Sequence, residues 1–127
     1  MSSSDQLTAA SETYKSLKNV QGHWQGKPFN TDVDAPNSKK EVSMKYLQEY
    51  LGKVGTSADD ILNLMGKPDK ELDKPDIELV HELNRQSYQC QDGTKIWIYE
   101  WRGMHDYVYF LIKDNKVALS AWYYAYE

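Results

Sequence analysis

Residues 95–126 read KIWIYEWRGMHDYVYFLIKDNKVALSAWYYAY, and this stretch decides the fold. Apolar residues recur with a period of two in three runs, rich in the β-branched and aromatic types that fit a pleated surface. Short turn sequences punctuate them: Asp92-Gly93 before the first run, Gly103 to Asp106 after it, and Asp114-Asn115 before the last. Gly, Asn and Asp tolerate the backbone angles of tight hairpins, so the pattern predicts an antiparallel meander.

The turns also predict a register. Pairing Trp101 with Tyr107 across the Gly103 loop sets Tyr99 against Tyr109, Trp97 against Leu111, Ile98 against Phe110 and Ile96 against Ile112. Pairing Lys113 with Lys116 around Asp114-Asn115 sets Phe110 against Leu119, Val108 against Ala121 and Tyr107 against Trp122. Both hairpins then agree on an aliphatic face of Ile96, Ile98, Val108, Phe110, Ile112, Val117, Leu119 and Ala121. The other face is aromatic: Trp97, Tyr99, Trp101, Tyr107, Tyr109, Trp122, Tyr124 and Tyr126, with Tyr88 joining opposite Trp97 if Asp92-Gly93 adds a fourth strand. The aliphatic face is expected against helices and the aromatic face toward solvent. A slip of one residue would move every side chain to the opposite face, so the reading depends on this register.

Toward the N-terminus, residues 4–18 read as an amphipathic helix through Leu7, Ala10, Tyr14 and Leu17, with Ser3 and Gln6 as a capping box. Residues 20–38 are rich in Gly, Pro, Asn and Asp and read as a loop pinned by Trp24 and Phe29. A second capping box, Ser38 to Glu41, opens a helix that ends at Gly52 and turns Val42, Tyr46, Leu47, Tyr50 and Leu51 to one side. A third helix starts at Thr56 or Ser57, buries Ile61, Leu62 and Met65, and stops at Gly66 before Pro68. Residues 69–76 read as a solvated loop, and 77–86 as either a helix or the approach to a strand. The expectation is one α+β domain: helix and loop over 1–37, a helix pair over 38–68, and the sheet over 85–127. Its N-terminal helices pack on one face of a meander of three to four strands.

Composition narrows the function. With 127 residues the chain is long enough to bury a core without staples. The single cysteine, Cys90, permits no internal disulfide or cysteine metal site and fits a reducing, cytoplasmic setting. The start lacks the basic and apolar pattern of a secretory signal, and no apolar run approaches the roughly 20 residues that span a bilayer, so no membrane role is expected. A net charge of −4 argues against a phosphate-backbone partner, so no nucleic acid is expected.

Motifs of catalysis are sparse. His23, His81 and His105 lack metal-ligand spacing, and His105-Asp106 is an adjacent pair in a turn, where side chains point apart. Asp32-Val-Asp34 lacks the oxygen-ligand series of a calcium loop. Cys90 has no nearby cation in sequence to activate it and reads as an inert thiol. No catalytic residue, metal or cofactor is therefore expected.

The segment YLQEYLGKVGTSADDILNLMGKPD, residues 46–69, resembles the helical part of the SmpA/OmlA (BamE-like) and β-lactamase-inhibitor-protein-like family. Trp97-Ile-Tyr99, the run from Val108 to Ile112, the Asp114-Asn-Lys116 turn and Val117 resemble its sheet, so the likeness covers about 46–124. It implies two helices on a curved antiparallel sheet whose free face binds another protein. This chain shows neither that family's signal peptide nor its lipid-attachment cysteine near the start, so an outer-membrane assembly role is not implied.

Three readings of the aromatic face stay open. Tyr and Trp are favoured at protein interfaces, they also simply stabilise sheets, and the 20–37 loop would turn the face into a pocket by covering it. The expected function is a non-enzymatic module that binds a protein or its own copy through Trp97, Tyr99, Trp101, Tyr107, Tyr109, Trp122 and Tyr124. The alternative is a small-ligand binder or enzyme of the cone-shaped SnoaL/NTF2-like kind, with a pocket between helices and sheet and an inward His81, Asp106 or Tyr123.

Overall fold

The structure is a computed structural model that describes residues 3–23, 26–102 and 106–124, leaving aside the side chains of Ser3, Ser4 and Arg102. Its elements run α1 (Ser3–Leu17), α2 (Lys39–Leu51), α3 (Ala58–Met65), β1 (Lys70–Leu72), α4 (Ile77–Arg85), β2 (Lys95–Arg102), β3 (Asp106–Lys113) and β4 (Lys116–Tyr124). The strands form one antiparallel sheet in the order β1-β2-β3-β4, so the α+β meander holds as read from the sequence.

Polar side chains set the helix starts. Ser38 accepts the Glu41 N–H at 3.3 Å, but the Glu41 carboxylate accepts from Asn37 N–H at 2.6 Å instead of closing the box on Ser38. Ser57 caps α3 through the Asp59 N–H at 3.2 Å, with Asp59 and Asp60 at the positive end of the helix. Asp76 accepts the Leu79 N–H at 2.9 Å, and that cap decides the ambiguous 77–86 segment as α4. The Ser3 half of the first capping box lies outside the described side chains.

Helices cover both faces of the sheet. On one side α1, α2 and α3 bury Tyr14, Met44, Leu47, Leu51, Ile61 and Met65 against Trp97, Tyr99, Trp101, Val108, Phe110 and Ile112. On the other, α4 sets Leu79 and Leu83 over Ile96, Ile98, Tyr107, Tyr109 and Leu111. Strand β3 is consequently buried at every position from Asp106 to Ile112.

The predicted register fails by one residue. In the first hairpin Trp97 pairs with Phe110, Ile98 with Tyr109 and Tyr99 with Val108, and an irregularity between Glu100 and Arg102 displaces Trp101. The second hairpin starts as expected, Lys113 against Lys116 and Ile112 against Val117, but Leu111 then meets Leu119. Ala118 is the extra residue of a bulge, and it reverses the parity of all that follows. Aliphatic and aromatic side chains therefore mix on both faces, and neither face is open. The fourth strand is β1, within the segment read as a solvated loop, and Tyr88 is not in a strand.

Smaller corrections follow from packing. Phe29 is 62 % exposed and plugs nothing, and Trp24 lies outside the described residues. Val33 and Asp34 pin the loop instead, the Asp34 carboxylate accepting the N–H groups of His23 and Asn30 at 2.8 and 2.7 Å. On α2, Val42 and Tyr50 face solvent, whereas Lys40 and Ser43 turn inward.

Candidate functional site

The seven aromatic residues do not assemble into one surface. Trp97, Tyr99 and Trp101 are buried beneath α1–α3, while Tyr107 and Tyr109 lie on the opposite face beneath α4. Trp122 and Tyr124 return to the first side, half-buried, and Tyr126 lies outside the described residues. The expectation that these rings look outward is thus corrected for the five on β2 and β3: two sets of helices seal them in.

Their polar handles are met inside the molecule. Trp101 Nε1 donates to the Val33 carbonyl at 2.6 Å, Trp97 Nε1 to a Glu71 carboxylate oxygen at 2.8 Å, and Tyr99 Oη to the Gly66 carbonyl at 2.7 Å. Tyr109 Oη accepts from the Gln86 amide. Burial raises the pKa of Tyr14, Tyr99 and Tyr107 far above that of a free phenol, with nearby carboxylates adding to it. The Tyr109 hydroxyl is pushed up to about 12, chiefly by burial and then by Glu82, against the lowering effect of its Gln86 bond.

What stays accessible is the margin of the sheet. Among the described residues strand β4 has β3 on one side and no strand on the other, and residues 118–124 are half-buried throughout. Its start is covered through the backbone, where Val117 N–H donates to the Thr56 carbonyl at 2.8 Å and its carbonyl accepts from Gly55 N–H at 2.8 Å, and the end of α2 touches its middle, where Gln48 donates to the Ser120 hydroxyl at 3.2 Å. Val117 thus points its backbone groups away from β3. Carried through the bulge, antiparallel alternation turns Leu119 and Ala121 toward β3, and Ser120 and Trp122 outward. Rings flank this edge on both faces. Trp122 stacks on Tyr124 at 5.4 Å between centroids and meets Trp101 edge-on at 6.1 Å, and Tyr123 stacks on Tyr107 at 4.9 Å.

The remaining candidates separate. His23 and His81 are exposed, on the loop and on α4, and His105 lies outside the described residues. Asp106 is buried on β3 at 3 % exposure, and Asp34 organises its loop. Burial raises the pKa of the half-buried Cys90 thiol. No cluster of three or more His, Cys, Asp or Glu suited to a metal occurs among the described residues. Nor is any described helix long and apolar enough to cross a membrane. Sequence reading missed the β4 edge, whose sign was a charge-free run from Val117 to Tyr124. It also missed the inward Lys40, which no periodicity marks.

Compared with known proteins, the chain matches no family model, no curated protein and no solved structure.

Proposed function

We infer that this chain is a non-enzymatic, self-associating module that pairs through the outer edge of β4. One observation carries the reading: seven consecutive half-buried residues, 118–124, form a sheet edge without a charge or a proline. Edges not used for pairing are commonly blunted by lysine, proline, bulges or a covering segment. Here the bulge and the backbone bonds that cover the edge both lie at the Val117 end, and further along the α2 end reaches the Ser120 side chain.

A second copy is the partner favoured, since the charge-free run from Val117 to Tyr124 can pair antiparallel with its own copy about a two-fold axis. Main-chain hydrogen bonds would supply the affinity, and Trp122, Tyr123 and Tyr124 the apolar contact on both sides of the seam. The protein-binding role implied by the resemblance of residues 46–124 to SmpA/OmlA-like domains is kept in this proposal, moved from a sheet face to a sheet edge. A lone, reduced Cys90 is in keeping with a cytoplasmic site of action. The cone-shaped alternative is favoured less, because apolar side chains of α1–α3 and of α4 pack directly on the two sheet faces and His81, one of its inward candidates, is exposed.

Ser120→Pro tests the reading. It removes an outward N–H, spares the ladder to β3, and is a change that edge strands tolerate. Ser120→Ala keeps the N–H and controls for the bond from Gln48, 3.2 Å. Sedimentation velocity should show a concentration-dependent dimer for the native chain and Ser120→Ala, and a folded monomer for Ser120→Pro. A native chain that stays monomeric at all concentrations refutes self-association.

A further inference from the structure

Where α1 ends and α2 begins, beside β2, lies a polar cavity of about 190 Å³. Lys18, Lys40, Asp69, Glu100 and Trp101 line it, and residues 19–21 form part of its wall. Lys40 is 4 % exposed, a rare position for lysine unless its charge is answered. Its ammonium donates to the Trp101 carbonyl at 3.2 Å, which uses one of its N–H groups. Glu100 is half-buried, and its Oε2 is shut off from solvent with no hydrogen-bond partner. Beside it, the solvent-facing Asp69 accepts the Glu100 N–H at 2.7 Å.

These opposite charges do not close on each other. Among the described residues, no nitrogen–oxygen approach of 4.0 Å or less joins Lys40 to Glu100 or Asp69. Lys18 does not fill the gap, because its ammonium donates to the Met65 carbonyl at 3.3 Å and to that of Lys67, and lies 5.1 Å from the Tyr99 ring centre. Burial lowers the pKa of Lys40 and raises that of Glu100, the response of charges removed from water before they are fully paired. An anion alone would answer Lys40 but sit against two carboxylates. A cation alone would answer the carboxylates but sit against Lys40 and Lys18.

We propose that this cavity binds a small zwitterion of the free amino-acid type, its carboxylate on Lys40 and its ammonium on Glu100 and Asp69. Only a ligand carrying both signs meets both groups at once. The volume selects for size, since it falls below the roughly 300 Å³ at which pockets for drug-sized molecules begin. Trp101, which accepts from Lys40 through its carbonyl, is itself held by the bond of its indole to Val33 and by its contact with Trp122, so its part of the lining is already formed.

The test is a titration of the ¹⁵N-labelled full chain with glycine, L-serine and L-alanine at millimolar concentration, with acetate and methylammonium as half-ligands. A zwitterion should shift the Trp101 indole resonance saturably and raise the melting temperature, while neither half-ligand does so at the same concentration. Glu100→Gln and Lys40→Met, each checked for native circular dichroism, should each weaken binding by roughly tenfold or more. Absence of any saturable shift overturns the site, as does binding that survives both substitutions or that acetate reproduces. Because Ser120→Pro leaves this cavity untouched, loss of pairing at β4 and loss of ligand here are separable results.

Discussion

Raising the pH above 10 should destabilise this protein through its buried tyrosines. Burial holds Tyr14 and Tyr99 protonated well beyond the value near 10 at which a free phenol ionises. Below that pH both states carry the phenolic protons and nothing changes. Above it the unfolded chain releases them while the folded chain cannot, so the folded state binds more protons and stability falls with pH. At pH 11 each such ring costs RT ln(1 + 10), about 1.4 kcal/mol, and the two together about 3 kcal/mol. Tyr107 and Tyr109 act in the same direction. Lys18 and Lys40, whose pKa values burial lowers, act oppositely, but their effect saturates once free lysine deprotonates near 10.5. The fall beyond pH 11 therefore belongs to the phenols. Against a typical total of about 0.05–0.15 kcal/mol per residue, the loss is a large share of stability. Urea midpoints at pH 9, 10 and 11, followed with absorbance at 295 nm, measure it. If all ten tyrosines ionise near pH 10 while the far-ultraviolet spectrum stays native, the rings lie in water and the two-sided burial is wrong.

Two further outcomes follow from single side chains. Trp101→Phe removes the bond to Val33 and part of a ring that is 2 % exposed, so urea denaturation should report a loss of about 2–4 kcal/mol. A loss below about 1 kcal/mol would mean that this indole is not an anchor of the loop. Cys90, half-buried with its thiolate disfavoured, should react with a thiol reagent at pH 8 more slowly in the native chain than in urea, and equal rates would contradict its placement.

Much of the architecture was legible because local chemistry marks it. Ser38, Ser57 and Gly66 bound helices where capping logic puts them, and Asp114-Asn115 turns the last hairpin with Lys113 against Lys116. The faces were illegible for a reason built into β3. From Tyr107 to Ile112 every residue is apolar, because helices lie on both sides, so no polar side chain marks which way the strand faces. Parity then rested on the turns alone, and the irregularity at Trp101 and the bulge at Ala118 each add a residue that composition does not announce. Strand β1 is a Lys-Glu-Leu triplet, too short to alternate. Of the candidate sites, the β4 edge left a trace in its absence of charge, whereas the cavity depends on a lysine that only tertiary packing turns inward.

The bulge at Ala118 has a reach well beyond its own position. It works as a frame shift in three dimensions: one methyl-bearing residue, out of step with its partner strand, decides on which side each later ring emerges. With it, Trp122 and Tyr124 stand beside Trp101 while Tyr123 stands over Tyr107. An unbroken ladder through the same residues would instead set Trp122 against Tyr107, sending an indole to the tyrosine stack and a phenol to the indole. The aromatic margins of both layers would be miscast without any change to the rings themselves.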